Sequence, residues 1–227
     1  MSAVAAAPRE KTFLLARPEA RALDWIARRL PARVLPDHLT ILGVLAAVGI
    51  AAAYLLSNRD PAWLWAASGL LVLHWLGDSL DGTLARVRRI ERPTYGYYLD
   101  HLVDAVATAV IGIGLGLSPH LLLATGMAIV IVYLVLSINT YLETQALGVF
   151  RLGYGRLGPT EARLGLIAMN VAMALGVPAA FHVAGLELGL LDVAGLGAAL
   201  AMAAGLAVRA TATLRTLAVR EPAARPA

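Results

Sequence analysis

The sequence predicts an all-α polytopic membrane protein, with six transmembrane helices preceded by an amphipathic helix at the membrane interface. Three observations predict it. Of 227 residues, 59% are hydrophobic and the mean hydropathy is +0.71, whereas soluble domains are about 45–50% apolar. The apolar residues fall into six runs divided by proline, glycine and charged residues, each near the ~20 residues a helix needs to cross a bilayer. The basic residues gather in the segments that six spans would leave on one side, as the positive-inside rule requires of cytoplasmic loops.

Residues 1–36 are expected to form an N-terminal cytoplasmic and interfacial segment. Leu23, Ile26, Ala27 and Leu30 make an i, i+3, i+4, i+7 stripe flanked by Arg21, Arg28 and Arg29, the pattern of a helix lying on a lipid surface. Pro31 and Pro36 end it. The six-helix transmembrane domain is expected over 37–208. Its first span runs from Leu39 to Leu56, with Asp37 as helix cap and Thr40 in the first turn. The second runs from Pro61 to about Gly77 and continues, more polar, to Arg88. A basic loop, Val87–Pro93, precedes the third span, Tyr97–Leu117. Ser118-Pro119 makes a tight connection to the fourth, His120–Leu142. Glu143–Arg163 reads as a polar, glycine-rich loop, followed by the fifth span, Leu164–Phe181, and the sixth, Leu190–Val208. Residues 209–227 read as a basic cytoplasmic tail.

Six spans put both termini on one side. Arg59 is the only basic residue that then falls on the other, so both termini are expected in the cytoplasm. The net charge of +4 is read as membrane topology, with no nucleic-acid partner. The chain has no cysteine, which excludes disulfides and Cys-based metal or redox sites. Lys11 is the only lysine among 19 basic residues; that bias, with the abundant alanine, suggests a GC-rich bacterial genome and hence a bacterial inner membrane.

The chemistry concentrates in Asp78-Ser-Leu-Asp81-Gly82-Thr-Leu-Ala85-Arg86, then Gly96-Tyr-Tyr-Leu-Asp100-His-Leu-Val-Asp104. A charge inside a membrane segment costs about 2.5–3.5 kcal/mol even on the lenient insertion scale, so four carboxylates need a strong compensating interaction. On helices, Asp78 and Asp81 are i,i+3 neighbours and Asp100 and Asp104 are i,i+4 neighbours, so each pair shares a face. Two such faces meeting form a cage of oxygen ligands suited to Mg²⁺ or Mn²⁺. Gly96, Asp100 and Asp104 lie on one stripe, and Gly82 and Ala85 lie near the Asp81 face. Small residues there leave room for a bulky ligand or close helix approach. Arg86 can address a phosphate through a charge-assisted fork. Together these groups read as a pyrophosphate site.

The pattern D-x2-D-G-x2-A-R-x9-G-x3-D-x3-D resembles the signature of the CDP-alcohol phosphotransferase family of membrane enzymes, and every fixed position is filled across 27 residues. The resemblance implies transfer of a phosphoalcohol from a CDP-alcohol donor to an acceptor alcohol with release of CMP, using Mg²⁺ or Mn²⁺, with two ions expected. It implies Asp78, Asp81, Asp100 and Asp104 as metal ligands, Asp104 also as the general base, Gly82, Ala85 and Gly96 as walls of the CDP pocket, and Arg86 on the nucleotide's phosphate. It further implies phospholipid synthesis and a homodimer among membrane lipids. The residues alone support metal and phosphate; cytidine and the choice of Asp104 as base come from the resemblance.

Other readings of the same residues are a proton or cation path in an ion-coupled transporter and an intramembrane Mg-dependent prenyltransferase. A transporter has no evident need for Asp-Gly-x2-Ala-Arg, and prenyltransferases usually carry two distant Asp-rich motifs in a longer chain. Pro36-Asp37-His38-Leu39-Thr40 is similar to the Pro-Asn-x-Leu-Thr segment of many family members, with Asp37 in place of asparagine. Gly158-Pro159-Thr160-Glu161 resembles a segment of the choline/ethanolamine branch, which points to CDP-choline or CDP-ethanolamine as an alternative to CDP-diacylglycerol, the donor favoured here. Thr160, Glu161 and Arg163 then line the acceptor pocket, or simply start a helix. His74 and His101 are left out of the metal set.

Overall fold

The computed structural model describes residues 14–148, 158–176, 180–183 and 186–222. Among them are seven helices: α1 (Ala16–Ala27), α2 (Pro36–Leu56), α3 (Trp63–Arg88), α4 (Pro93–Gly116), α5 (Leu123–Leu147), α6 (Pro159–Ala174) and α7 (Leu190–Arg220). Two short strands, β1 (Ala180–Val183) and β2 (Leu186–Gly189), pair antiparallel before α7.

The helix limits follow local chemistry. Proline opens α2, α4 and α6 in the first turn, where its missing N–H costs nothing. Arg89 ends α3 in the left-handed conformation, and Gly148 ends α5 the same way, as glycine does without steric penalty.

Four helices, α2, α4, α5 and α7, are long and apolar enough to cross a membrane by length and composition. The other two expected spans behave differently. Helix α3 is 26 residues long but carries Asp78, Asp81, Arg86 and Arg88 in its last three turns. Helix α6 has 16 residues, about 24 Å at 1.5 Å per residue, short of the ~30 Å hydrocarbon core. Its expected extension to Phe181 does not form. Leu175 is the C-cap, Gly176 follows at φ +74°, and Phe181 belongs to β1. A left-handed glycine with proline two residues on stops a helix.

Among the described residues, helices α2 and α3 share the most extensive interface. It depends on close backbone approach: a Cβ on Gly77 would lie 2.6 Å from the Gly43 nitrogen and 2.7 Å from the Leu39 carbonyl oxygen. One core joins Ile50, Ala53 and Tyr54 of α2 to Leu64, Ala67 and Leu71 of α3. Across it, the Tyr54 hydroxyl donates to Asn170 Oδ1 at 3.2 Å, and Asn170 Nδ2 donates to Ser68 Oγ at 3.3 Å. Asn170 is fully buried, so this polar bridge fixes α6 against α2 and α3 without leaving its own donor unpaired.

A second core buries Leu23 and Ala27 of α1 with Leu39, Leu80 and Leu84, and packs Ile26 and Leu30 against them. The apolar stripe expected to face lipid therefore faces protein. The outer side of α1 leaves Trp25 exposed, with the Arg29 guanidinium 3.9 Å over its ring. Arg88 pins the α1–α2 connection, donating to the carbonyls of Leu30 (3.0 Å), Pro31 (2.8 Å) and Val34.

At the other side of the bundle, α5 packs on α7. Glu143, expected in a loop, lies in the last turns of α5 and is buried. It accepts from Arg209 Nε at 2.5 Å. Arg209, expected to open the tail, is inside α7, which continues as a helix to Arg220. Lys11, Arg151, Arg156 and Arg225 lie outside the described residues.

Candidate active site

The late turns of α3 and the early turns of α4 bring the acidic motif together. Asp78, Asp100 and Asp104 each present a carboxylate oxygen within 4.8 Å of the others. The i,i+4 spacing puts Asp100 and Asp104 on one face of α4, and the packing of α3 brings Asp78 to it. Asp81, one turn further along α3, stands outside this triad. Its Oδ2 accepts the Thr40 hydroxyl at 2.6 Å and its Oδ1 the Gly82 backbone N–H at 2.5 Å. Asp37, one turn before Thr40, does not cap α2; Leu35 holds the cap position. Asp37 instead forms an ion pair with Arg92 at the start of α4.

A cavity of about 390 Å³ opens beside the triad. Asp81, Gly82, Ala85 and Arg86 line it from α3, Gly96 and Asp100 from α4, and Asp37 and Thr40 from α2. All four residues expected to shape or contact a nucleotide thus border one space, and Asp100 belongs both to it and to the triad. A Cβ on Gly82 would meet Arg86 Nη1 at 3.3 Å, while one on Gly96 would meet nothing within 4 Å. Glycine at 82 therefore leaves room for the Arg86 guanidinium, which donates to Thr83 Oγ1 at 3.0 Å. At Gly96 no protein neighbour demands glycine.

Arg163 of α6 reaches the triad and donates to Asp78 Oδ2 at 2.6 Å. It offsets one of three clustered carboxylate charges, and the negative charge that remains, on oxygen donors alone, fits a hard divalent cation. Asp78, Asp100 and Asp104 are the side chains that would hold it. His101 Nδ1 lies 3.3 Å from Asp100 Oδ2, and its ring sits against Tyr97 at 4.1 Å and Tyr141 at 4.9 Å between centroids.

Thr160 and Glu161, weighed with Arg163 in the sequence, face another way. The Thr160 hydroxyl donates to Glu19 Oε1 at 2.9 Å. Glu161 accepts from the Leu15 N–H at 2.8 Å and the Gly158 N–H at 2.9 Å. Partial burial works against its charged form, but these N–H groups prevail and hold its carboxyl below its ordinary range. Sequence reasoning missed Thr40 as a partner of Asp81 and Arg92 as a partner of Asp37. The Pro-x-x-Leu-Thr segment was visible, but those contacts are made across helices.

The site thus joins a carboxylate triad to a small-residue pocket with an arginine, on a bundle with four helices long and apolar enough to cross a membrane. The model of the CDP-alcohol phosphatidyltransferase family matches residues 33–204, and the chain belongs to that family. It is 33% identical over 122 residues to a CDP-diacylglycerol–serine O-phosphatidyltransferase of Encephalitozoon cuniculi, covering 49% of this chain and 32% of that protein. It is 35% identical over 88 residues to a phosphatidylinositol phosphate synthase of Cutibacterium acnes, covering 39% of this chain and 40% of that protein. The matches thus span about a third to two fifths of the length of these curated relatives.

Proposed function

We propose that the protein transfers a phosphoalcohol group, favoured here as phosphatidyl from CDP-diacylglycerol, to an acceptor alcohol with release of CMP. The observation that carries this reading is the shared position of Asp100, which joins a carboxylate triad to a cavity walled by Gly82, Ala85, Arg86 and Gly96. Arg86 binds and orients the donor's phosphates, and Gly82, Ala85 and Gly96 make room for the nucleotide. Asp104 takes the proton of the acceptor hydroxyl. The acceptor oxygen forms a bond to the β-phosphorus, the bond from that phosphorus to the CMP oxygen breaks, and CMP leaves with the electron pair. Mg²⁺ or Mn²⁺ held by the aspartates, as one or two ions, supplies neutralisation of pyrophosphate charge. Positioning by the helices accounts for the rest, as phosphoryl transfer depends mainly on orientation and electrostatics.

The donor choice has a local basis. Thr160 and Glu161, in the segment resembling the choline/ethanolamine branch, are engaged with the N-terminal helix. That leaves little in this segment to favour CDP-choline. The name of the Encephalitozoon cuniculi relative, a CDP-diacylglycerol–serine transferase, points the same way.

In the membrane, α3 and the shorter α6, which does not reach across the full hydrocarbon core by itself, join α2, α4, α5 and α7 in a six-helix membrane domain. Both termini are cytoplasmic, α1 lies at the interface with Trp25 toward lipid, and the protein acts as a homodimer in a bacterial inner membrane. The test is CMP release by purified protein in nanodiscs, offered CDP-diacylglycerol or CDP-choline with a panel of alcohols that includes serine, with Mg²⁺ and with chelator. Metal-dependent CMP from CDP-diacylglycerol is expected. Release from CDP-choline alone would overturn the donor choice, and release from neither would overturn the transferase reading.

A further inference from the structure

Glu19 sits on α1, apart from the motif, yet it touches both helices that carry the Asp78–Arg163 pair. Its Oε1 accepts the Trp75 indole N–H of α3 at 2.8 Å and the Thr160 hydroxyl of α6 at 2.9 Å. Trp75 precedes Asp78 by three residues on α3, and Thr160 precedes Arg163 by three on α6. Three residues is close to one helical turn, so each donor lies on nearly the same face as the residue that follows it. Arg163 meets Asp78 at 2.6 Å and Asn170 meets Ser68 at 3.3 Å, so α3 and α6 run antiparallel, and Trp75 and Thr160 stand about one turn to either side of the Asp78–Arg163 contact. The Trp75–Glu19–Thr160 link is thus a diagonal rung that ties the two helices together across that contact. Leu15 adds a backbone tie from α1 to Glu161 at 2.8 Å, and Leu23 and Ala27 lock α1 onto α3 through the second core. Glu19 is itself partly buried, which strengthens a carboxylate's hold on two neutral donors.

We propose that Glu19 is a positioning residue: it sets the spacing of α6 against α3 and so holds Arg163 on Asp78 at the carboxylate triad. The inference rests on the transferase reading for its catalytic consequence, but not for its geometry. Glu19 needs only its acceptor oxygen for this role, so glutamine preserves the rung and alanine removes it.

The test has two readouts. The chain has no cysteine, so spin labels attached at Val72→Cys on α3 and Leu164→Cys on α6, both exposed, report their separation directly. Glu19→Ala is expected to lengthen or broaden that distance, and Glu19→Gln to restore it. Turnover of Glu19→Ala is expected to fall by about 10–100-fold, the scale of a ~1 Å misplacement at a catalytic centre, with Glu19→Gln recovering most of it. Trp75→Phe and Thr160→Val, which each remove one donor and leave the carboxylate, are expected to give intermediate losses. In an Arg163→Lys background, Glu19→Ala is expected to cost little more, because both changes act on one contact. A loss that multiplies with that of Arg163→Lys, or an unchanged label distance in Glu19→Ala, would overturn the proposal. If wild-type protein releases no CMP the transferase reading fails, while the label distances still decide the role of Glu19.

Discussion

Gly77→Ala tests the link between helix packing and the site. The added Cβ would lie 2.6 Å from the Gly43 nitrogen, 2.7 Å from the Leu39 oxygen and 2.8 Å from the Gly43 Cα. These are backbone atoms, so no side chain can turn aside. Comfortable contacts between carbon atoms are about 3.5–4.0 Å, so α2 and α3 must part by roughly 1 Å. Overpacking of this kind costs about 1–3 kcal/mol, or some 2–12 °C in Tm for a chain of this size. The site moves with it. Thr40 is three residues from Gly43 on α2, and its 2.6 Å bond to Asp81 spans the same interface. Turnover is therefore expected to drop by up to about 100-fold. The control is Gly69→Ala on the same helix, where a Cβ meets nothing within 4 Å and alanine is expected to be neutral or to gain about 0.5–1 kcal/mol. Melting in detergent and CMP release are measured on both variants. A Gly77→Ala protein that melts and turns over like wild type would refute the close approach of α2 and α3 and its link to Asp81.

Asn substitution of Asp78, Asp100 or Asp104 is expected to abolish CMP release and weaken Mn²⁺ binding at least tenfold by electron paramagnetic resonance, while the melting temperature holds or rises as clustered charge is removed. Arg88→Ala strips the carbonyls of Leu30, Pro31 and Val34 of their donor; hydrogen bonds from a charged group contribute about 1.5–3 kcal/mol, so Tm should fall by several degrees and protease should cut the α1–α2 connection faster. Asn170→Leu leaves the buried Tyr54 hydroxyl unpaired, at a cost of about 1–3 kcal/mol, and the companion change Tyr54→Phe should recover part of that loss. Glu161 gives a pH dependence. Its folded value is depressed, so its stabilisation is fully present above the ordinary carboxylate range, near 4.3, and is lost progressively as pH falls from there through the lower folded value. The Tm difference between wild type and Glu161→Gln should hold from neutral pH down to that range, shrink as pH falls below it, and vanish in stronger acid.

Some of this protein could be read from the chain alone. A run of apolar residues is a statement about solvent, so the α2, α4 and α5 spans and the helical start of α7 were legible from composition and spacing. So was the acidic motif, because i,i+3 and i,i+4 spacing assigns side chains to a helix face before any tertiary contact forms. Asp100 and Asp104 share a face of α4 for that reason, and Gly82, Ala85, Arg86 and Gly96 border one cavity. Tertiary structure decided what periodicity cannot express, namely which partner a face meets. The stripe of Leu23 and Ala27 could satisfy itself on lipid or on Leu39, Leu80 and Leu84, and burial area does not distinguish them in sequence. Glu143 read as a loop charge until Arg209, 66 residues away, let it be buried. The end of α6 was hidden because one left-handed glycine outweighs the apolar residues beyond it. The separation of Asp81 from the triad, the reach of Arg163 to Asp78 and the placing of Glu19 between α3 and α6 all depend on how helices distant in sequence pack, and that packing turns on small residues such as Gly43 and Gly77.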